Sequence, residues 1–430
     1  MLIRNAVLNG RTVDLRLHGD RVHQIGVDLR GAELLDAAGA AVLPGLVDHH
    51  LHLHAIAAAL TSVSVAGLDP AATARVLAAA PADALGWVRA VGGETALDSA
   101  ALDALHPQRP IRVQHRSGAL WTVNTRGAHL LDLAGAAHPG VEHDPAGTPT
   151  GRLWRADAWL RERLPASGPP DLGPVGALLA GYGITAVTDA TPDLDRLDAT
   201  ALPQHVTALG VGLECAPPPG VAVGPYKIVI ADSGPMDFDD LVARIVAAHR
   251  TGRAVAVHCV SRDALALLLA AFDTVGTAPG DRLEHAALVP AEAIGALAAR
   301  GLRVVTQPGF LADRGDAYRR DVPLVDHQDL YRCASLRAGG VPVALSSDAP
   351  HGPLDPWAVI DAAVTRRTPD GTVLGPTECI DRESALTAYL APPDDPGGPP
   401  RRVAPGCPAD LVLRADGVTR ATFVAGHRVA

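Results

Sequence analysis

The chain has 430 residues, 48% of them hydrophobic and 20% charged, with 43 Gly and 36 Pro, a composition typical of a globular protein with a large core and many turns. Its formal net charge of −10 argues against a basic face that binds nucleic acid. The five Cys have no CxxC spacing, the start MLIRNAVLNG lacks a secretory-type apolar segment, and no apolar run reaches the roughly 18 residues that span a bilayer. We therefore expect a cytoplasmic protein with neither disulfides nor a membrane segment.

The two ends of the chain have the character of short strands. Residues 1–43 contain LIRNAVL and VDLRLHGDRVHQIGV, and residues 400–430 contain DLVLRADGVTRATFVAGHRV. The Pro/Gly-rich segment APPDDPGGPPRR precedes the C-terminal strands and is incompatible with regular structure. We expect the two ends to pair into one small flanking β-domain.

The central region, residues 44–399, alternates between β-branched runs and Ala/Leu-rich segments after about residue 180. With PGLVDHHLHLH at 44–54 as the first, eight strand segments are separated by helical ones. This pattern predicts an α/β fold, a TIM-like (β/α)8 barrel, with its chemistry at the carboxyl ends of the strands. An insertion at 60–180 follows the first strand, and we expect it to have its own structure and to cover the site.

The first strand ends in a His-x-His pair. Side chains two positions apart in a strand point to one face, so the His50 and His52 rings project together, as two ligands of one metal ion must. His54 would share that face, whereas His49 would point away. The alternative is a pair of polar strand-end histidines without a metal.

Three further polar residues close apolar strands of the predicted barrel. His258 ends AVAVH, His285 ends DRLEH and Asp348 ends VPVALSSD. Each alone favours a hydrogen-bonded structural role. Five such side chains at the same end of one barrel, however, indicate a shared site.

Lys227, in YKIVIADS, is the only lysine in a chain that has 36 arginines. In a buried strand beside divalent cations its amine should be neutral, and a neutral amine can react with carbon dioxide to give an anionic carbamate. The two carbamate oxygens could bridge two metal ions, whereas the guanidinium of an arginine stays protonated and cannot react. The alternative is a chance survivor of a bias toward arginine codons, with a solvated tip.

These residues lie in a series of motifs that resembles the amidohydrolase superfamily, and within it the amidohydrolase family 3 branch, which includes N-substituted formamide deformylase-like enzymes. The motifs are PGLVDHHLH (44–52), VNTRGAHLLDLAG (123–135), GTPTGRL (147–153), GITAVTDA (183–190), YKIVIADSG, VHC, RLEHAALVP, TQPGF (306–310), GVPVALSSDAP and PGCPADLVL (405–413). The resemblance implies a metal-bearing barrel with a flanking β-sandwich built from both termini.

The resemblance also implies a ligand set. His50 and His52 would bind one metal, His258 and His285 would bind a second, and carboxylated Lys227 would bridge them. Asp348 would bind the first metal and transfer protons. The implied cofactors are one or two divalent ions per chain, with zinc as the expected metal, and carbon dioxide as the source of the lysine carbamate.

The implied reaction is hydrolysis of an amide or formamide-like C–N bond of a small molecule by metal-activated hydroxide. Asp348 would act first as general base and then as general acid. Gln307, Trp121, Asn124 and His351 are candidates to line the substrate pocket, and a structural role is the alternative for each. We expect a small-molecule substrate as the partner, with neither nucleic acid nor a membrane, and a homodimer as a candidate assembly.

One departure from the family pattern concerns substrate binding. The family usually has a Gly-His pair before the VNT motif, whereas this chain reads SGALWTVNT, with Ala119 in the place of the histidine. Three other functions stay open: a deaminase on the same barrel, a lyase that uses Lys227 as a Schiff-base nucleophile, and a non-catalytic relative.

Overall fold

The computed structural model describes residues 1–31, 33–83, 85–93, 97–115, 117–164, 170–194, 196–230 and 236–430. The chain divides into two compact units: unit 1 comprises residues 1–53 and 171–430, and unit 2 comprises residues 54–170. Unit 2 overlaps the predicted insertion at 60–180, and the predicted domain boundaries stay predictions. The end of the lysine-containing motif, residues 231–234, lies outside the described residues.

The described strands fall into four sheets. In chain order they are β1 (Leu2–Leu8), β2 (Arg11–His18), β3 (Arg21–Gly26), β4 (Leu34–Asp36), β5 (Ala41–Pro44), β6 (Leu46–Leu51), β7 (Val63–Ser64), β8 (Val88–Gly93), β9 (Ile111–His115), β10 (Leu120–Val123), β11 (Val141–His143), β12 (Pro149–Trp154), β13 (Ile184–Asp189), β14 (His205–Ala208), β15 (Val221–Val223), β16 (Tyr226–Val229), β17 (Val255–Cys259), β18 (Arg282–His285), β19 (Arg303–Thr306), β20 (Val343–Leu345), β21 (Leu411–Ala415), β22 (Val418–Val424) and β23 (His427–Arg428).

The described helices are mostly short, and none is both long and apolar enough to cross a bilayer. In chain order they are α1 (Leu53–Leu60), α2 (Pro70–Ala79), α3 (Ser99–Leu105), α4 (Thr125–Leu130), α5 (Asp157–Arg163), α6 (Gly173–Gly181), α7 (Phe238–Arg250), α8 (Arg262–Val275), α9 (Ala291–Ala299), α10 (Gly309–Asp321), α11 (Ala334–Ala338), α12 (Pro356–Thr365) and α13 (Arg382–Thr387). Short 3-10 helices cover Leu133–Gly135, Leu324–Asp329 and Pro376–Glu378.

Strands from both ends of the chain share one sheet. Its order is β23-β22-β21-β5-β1-β2-β3, with β4 paired to β1. The C-terminal strand β21 pairs antiparallel with β5, which places Leu411 opposite Pro44. The core on this sheet includes Ile3, Leu15 and Phe423, all of which are fully buried. Apolar residues at alternate positions of terminal strands therefore bring the two ends together.

Two parallel sheets form the central part of unit 1. One has the order β15-β14-β13-β6 and the other the order β16-β17-β18-β19-β20, and in the second sheet helices lie between successive strands. Each of the eight predicted segments contains a strand, and β15 is an additional short strand that pairs with β14. The observed class is thus α/β, and closure of the two sheets into one barrel stays a prediction.

Helix α8 illustrates how the helices cover these sheets. Ser261 precedes it in an extended conformation, and its hydroxyl accepts a hydrogen bond from the Ala264 N–H at 3.1 Å, which caps the helix. Leu265, Leu268 and Phe272 follow with helical spacing and are buried in the same core as the strands β16–β20. The apolar face of the helix is therefore the one that packs on the sheet.

Unit 2 has its own mixed sheet, with the order β11-β12-β10-β9-β8-β7. Separate apolar clusters pack in this unit, one including Trp87, Trp121 and Leu153, and the other including Leu77 and Leu102. The segment between the first two predicted barrel strands therefore forms a structured unit rather than a bare loop.

Candidate metal centre

Three side chains from the ends of two strands converge on a common point. His50 closes β6, His52 follows it, and Asp348 follows β20. Oδ1 of Asp348 lies 3.4 Å from Nε2 of His50 and 3.2 Å from Nε2 of His52. One ligand atom from each of the three residues lies within 4.8 Å of the other two. The predicted His-x-His pair and the predicted carboxylate are thus brought together.

The backbone is strained where two of the predicted ligands leave their strands. Asp348 has φ 52° and His285 has φ 70°, both in the left-handed region that residues other than glycine rarely adopt. Such conformations cost about 1–3 kcal/mol each and persist where the surrounding structure holds them. The chain therefore turns sharply at the point where these side chains enter the site.

The polar atoms at this point fit a metal ion. Nε2 of His50 and Oδ1 of Asp348 are buried, and no described residue forms a hydrogen bond with either atom. A buried acceptor that lacks a partner is costly, and it needs a water or an ion to satisfy it. Imidazole nitrogen and carboxylate oxygen are the ligands that zinc and similar divalent ions take in catalytic sites.

A buried carboxylate orients the His50 ring. Glu284, on β18, is fully buried and its Oε2 accepts a hydrogen bond from Nδ1 of His50. Its other oxygen accepts from Nε of Arg282 at 2.6 Å. Because an ionised carboxylate only accepts, the His50 proton is held on Nδ1 and Nε2 is left as the ligand atom.

The second predicted pair of ligands lies next to the first. The His285 ring is 4.7 Å from the His50 ring and 4.5 Å from the His258 ring, measured between centroids. Nδ1 of His285 faces Oδ2 of Asp348 at 3.7 Å. Among the described residues, only His50, His52 and Asp348 form a group compact enough to hold one ion. A second ion on His258 and His285 stays a prediction.

Lys227 is buried within the same site, with 4% of its surface exposed. Burial lowers the pKa of its amine below the ordinary value, and Glu284 and Asp348 oppose that change electrostatically. Lys227 in turn contributes to the lowered pKa values of His50 and His285, for which burial is the largest cause. The predicted position of the lysine among the ligands, rather than in solvent, agrees with this environment.

Asp348 is held in its ionised form. Burial alone would raise the pKa of this carboxyl, but His50, His285 and His52 together lower the pKa well below its usual value. In this environment the Asp348 carboxylate can bind a cation that lies at the centre of the site. It is also positioned to exchange a proton with a group bound there.

Two of the predicted substrate-pocket residues lie beside the ligands. The His351 ring is 5.7 Å from the His52 ring, and its backbone N–H donates to the Asp348 carbonyl at 2.9 Å. Gln307 is fully buried, and its Oε1 lies 2.9 Å from Nδ1 of His285. Gln307 therefore orients a predicted ligand, and direct contact of either residue with a substrate stays a prediction.

The other two predicted pocket residues lie in unit 2. Asn124 is fully buried and caps α4, because its Oδ1 accepts from the Gly127 N–H at 3.0 Å. Trp121 is buried, and its Nε1 donates to Asp157 at 2.8 Å. Both have structural contacts, and a role for either in substrate binding stays a prediction.

Sequence reasoning missed two residues that position the ligands. Glu284 immediately precedes the predicted ligand His285, and the signal for it is a charged Arg282-x-Glu284 pair within a four-residue buried strand. Thr191, whose Oγ1 lies 3.3 Å from Nδ1 of His52, carries no such signal because it follows a strand in an irregular segment.

The comparisons with known proteins agree with this geometry. The chain matches the model of the Amidohydrolase family over residues 33–422. It is 25% identical to an N-substituted formamide deformylase of Arthrobacter pascens over 93% of this chain and 89% of that protein.

Two solved structures share the fold over nearly the whole chain. An uncharacterized metal-dependent hydrolase of Pyrococcus furiosus has a TM-score of 0.71 at 21% identity, covering 97% of this chain and 99% of that one. Another, from Pyrococcus horikoshii OT3, has a TM-score of 0.75 at 20% identity, covering 99% of each chain. The fold is thus the TIM-barrel-like α/β fold of that group. The match over residues 33–422 shows that this chain belongs to the amidohydrolase family, and with the relatives above it identifies the chain as a metal-dependent hydrolase of carbon–nitrogen bonds other than peptide bonds.

Proposed function

We propose that the chain hydrolyses an amide or formamide-like C–N bond of a small molecule at the site formed by His50, His52 and Asp348. The observation that carries the proposal is the convergence of three ligand atoms within 4.8 Å. Two of these atoms, Nε2 of His50 and Oδ1 of Asp348, are buried and form no hydrogen bond with any described residue. The 25% identity to an N-substituted formamide deformylase supports a formamide-like substrate.

His50 and His52 would hold a divalent ion through their Nε2 atoms, and Asp348 would be its third ligand. We propose that this ion is zinc. A bound divalent ion lowers the pKa of water toward neutrality and polarises a carbonyl oxygen. Asp348 would take a proton from water at a carboxylate oxygen and would deliver it to the departing nitrogen. Its lowered pKa keeps the carboxyl ionised, which is the form that a general base must have.

Lys227 would act as a carbamate that completes the site, with His258 and His285 as ligands of a second ion. The neutral amine would attack the carbon of carbon dioxide, so that an N–C bond forms while the electron pair of one C=O π bond moves to its oxygen, and the nitrogen would lose a proton to water. Burial favours the neutral amine, which the reaction requires. The product would place an anionic group beside His50, His285 and Asp348 in the position of the neutral amine.

The test begins with the metal content of protein purified without added metal, measured by elemental analysis. Turnover is then measured on a panel of N-substituted formamides, other N-acyl amines, ureas and cyclic amides, with identification of both products. We expect a stoichiometric divalent ion and release of an amine together with a carboxylic acid. Ammonia as the only nitrogen product from an aminated ring would instead identify a deaminase.

Substitution of the lysine tests the carbamate directly. Lys227→Ala should lower kcat by about 100-fold, the upper end of what the loss of a group around a metal site costs. Short carboxylic acids should restore part of the rate by occupying the space of the carbamate. Protein incubated with 13C-bicarbonate should show a carbamate carbon signal by NMR in the wild type and not in this variant.

Lys227→Arg is the matched control, because it keeps a cation that cannot form a carbamate. It should be as inactive as Lys227→Ala. Turnover at the wild-type rate in either variant would contradict the bridging role. Covalent trapping of substrate on Lys227 by borohydride in metal-free protein would favour the Schiff-base lyase.

A further inference from the structure

Two arginines face each other across neighbouring strands of unit 2. Strands β8 and β9 are parallel, and their register places Arg89 beside Arg112. Like charges at adjacent positions of a sheet destabilise it, so such a pair needs a compensating partner. The two guanidiniums are therefore an unusual feature in a chain whose net charge is −10.

The described residues do not supply that partner. Arg89 donates to the Ser62 hydroxyl at 3.0 Å and to Oε1 of Gln114 at 3.4 Å, which are both neutral groups. Nε of Arg112 is buried, and no described residue accepts a hydrogen bond from it. Within the described part of the chain, neither guanidinium forms an ion pair. A buried donor in this situation is explained by a water or an ion that belongs to the site.

Carboxylates act on the pair only from a distance. Burial and then Arg112 lower the pKa of Arg89 to about 10, and Asp157 opposes that change. Burial also lowers the pKa of Arg112, and Asp83 opposes it. Asp157 is held by the indole N–H of Trp121 at 2.8 Å, and Asp83 accepts the backbone N–H groups of residues 85 and 87 at 3.0 and 2.9 Å. Neither carboxylate is therefore a direct partner of a guanidinium.

Trp121 provides a rigid wall for both guanidiniums. The Cζ atoms of Arg89 and Arg112 lie 5.4 and 5.8 Å from the centroid of its ring. Trp121 is buried and its indole N–H is engaged, so the ring is fixed in place. Cation–π contacts of this kind hold a guanidinium in one orientation, and the N–H groups that Arg89 does not donate to Ser62 and Gln114 can bind another group.

We propose that Arg89 and Arg112 form a binding site in unit 2 for the oxyanion group of a small ligand, either a carboxylate or a phosphate. The planar fork of each guanidinium matches either group with two parallel hydrogen bonds. The ligand would neutralise the repulsion between the two arginines and satisfy Nε of Arg112. This site goes beyond the proposed hydrolysis, and it does not depend on a metal ion.

The test uses the full-length protein and two probes, sodium acetate and inorganic phosphate, titrated separately at low ionic strength. Binding is followed by isothermal titration calorimetry and by the fluorescence of tryptophan. We expect one-to-one binding of at least one probe, weakened about tenfold or more in Arg112→Gln and in Arg89→Gln, since each substitution removes charge-assisted hydrogen bonds. The probe that binds more tightly identifies the carboxylate or the phosphate as the preferred group.

Arg126→Gln is the matched control, because Arg126 is an exposed arginine on α4 of the same unit and should leave the affinity unchanged. An anion that binds elsewhere in the chain would have the same affinity for all these proteins. A difference in affinity between the variants therefore reports binding at Arg89 and Arg112. Arg112→Lys keeps the positive charge but lacks the planar guanidinium, and it should bind the probe with intermediate affinity. This variant also tests the site if Arg112→Gln does not fold. Equal affinity of wild type and Arg112→Lys, or no binding of either probe to wild type, would overturn the proposal.

Discussion

At the scale of single residues, Glu284 decides which nitrogen of His50 is presented to a metal ion. Its Oε2 accepts from Nδ1 of His50, and its Oε1 accepts from Nε of Arg282, so both oxygens are committed to buried donors. Arg282 is 1% exposed and depends on this carboxylate for its charge partner. Glu284 is therefore a positioning residue that acts through His50.

We expect Glu284→Gln to weaken metal binding by about 10–100-fold, because an uncharged amide orients the ring less firmly and makes His50 a poorer ligand. The dissociation constant is measured by competition with a chromophoric chelator, and the visible spectrum of the cobalt-substituted protein reports the ligand geometry. Glu292→Gln, at an exposed position of α9, is the control. An unchanged dissociation constant and cobalt spectrum in folded Glu284→Gln would contradict the positioning role.

The convergence of the candidate ligands could be predicted from the sequence, whereas the residues that support them could not. His50, His52 and Asp348 follow from strand ends and the alternation of side chains, which are local properties of a strand. Glu284 meets His50 only because β18 and β6 are brought together by the fold, 234 residues apart in the chain. The register of β8 and β9 places Arg89 beside Arg112, and register is likewise a property of the assembled sheet.

At the scale of elements, Arg253 secures the strand that carries Lys227. It lies between α7 and β17, and its guanidinium donates to the carbonyls of Gly224 at 2.7 Å and Leu209 at 2.9 Å, and also to that of Val211. These carbonyls follow β14 and precede β16. One side chain thus fixes the segment in which the first parallel sheet gives way to the second.

Arg253→Ala should lower the free energy of unfolding by about 2–4 kcal/mol, since several charge-assisted hydrogen bonds to partly buried carbonyls are lost. Chemical denaturation followed by circular dichroism measures the change. Arg250→Ala, at the exposed end of α7, should stay within about 0.5 kcal/mol of the wild type. Similar stabilities for the two variants would show that the hydrogen bonds of Arg253 contribute little to the free energy of unfolding.

Strand existence was easier to predict than strand number. The eight predicted segments are long apolar runs, and each of them contains a strand. β15 has three residues, Val221–Val223, within a Pro/Gly-rich stretch, and such a run is strand only because it pairs with β14. Short pairings of this kind are set by the neighbouring strand rather than by local preference.

At the scale of the whole molecule, one ion pair joins the sheet formed by the chain ends to the central sheets of unit 1. Nε2 of His205, at the start of β14, lies 3.1 Å from Oδ1 of Asp410, which precedes β21. The same carboxylate oxygen accepts the backbone N–H of Ala425 at 2.8 Å. The hydrogen bond to Asp410 is the largest cause of the raised pKa of His205, and burial partly opposes it.

This pair predicts a stability that depends on pH. A raised pKa of His205 in the folded state stabilises the protein below its unfolded pKa of about 6.5, and the contribution is lost as pH rises through the folded pKa. Burial raises the pKa of Asp410, but His205 and Ala425 lower it overall, so the pair also weakens as pH falls through that lowered pKa. The window of stabilisation therefore lies between these two limits.

His205→Gln should reduce Tm relative to the wild type near pH 5.5 and have almost no effect near pH 8.5. Because the His205 side chain is 54% exposed, solvent screening keeps the effect below about 1 kcal/mol. Differential scanning calorimetry across this range measures it, and comparison of the two proteins at each pH cancels the titration of every other group. His427→Gln, on the exposed strand β23, is the control. A difference in Tm that is independent of pH would count against the ion pair.

The left-handed backbone at Asp348 and His285 lowers the stability of the fold at two positions where the side chains are candidates for catalysis. Glycine at either position would relieve about 1 kcal/mol or more of backbone strain, partly offset by the greater freedom of the unfolded chain, and would remove a candidate ligand in the same step.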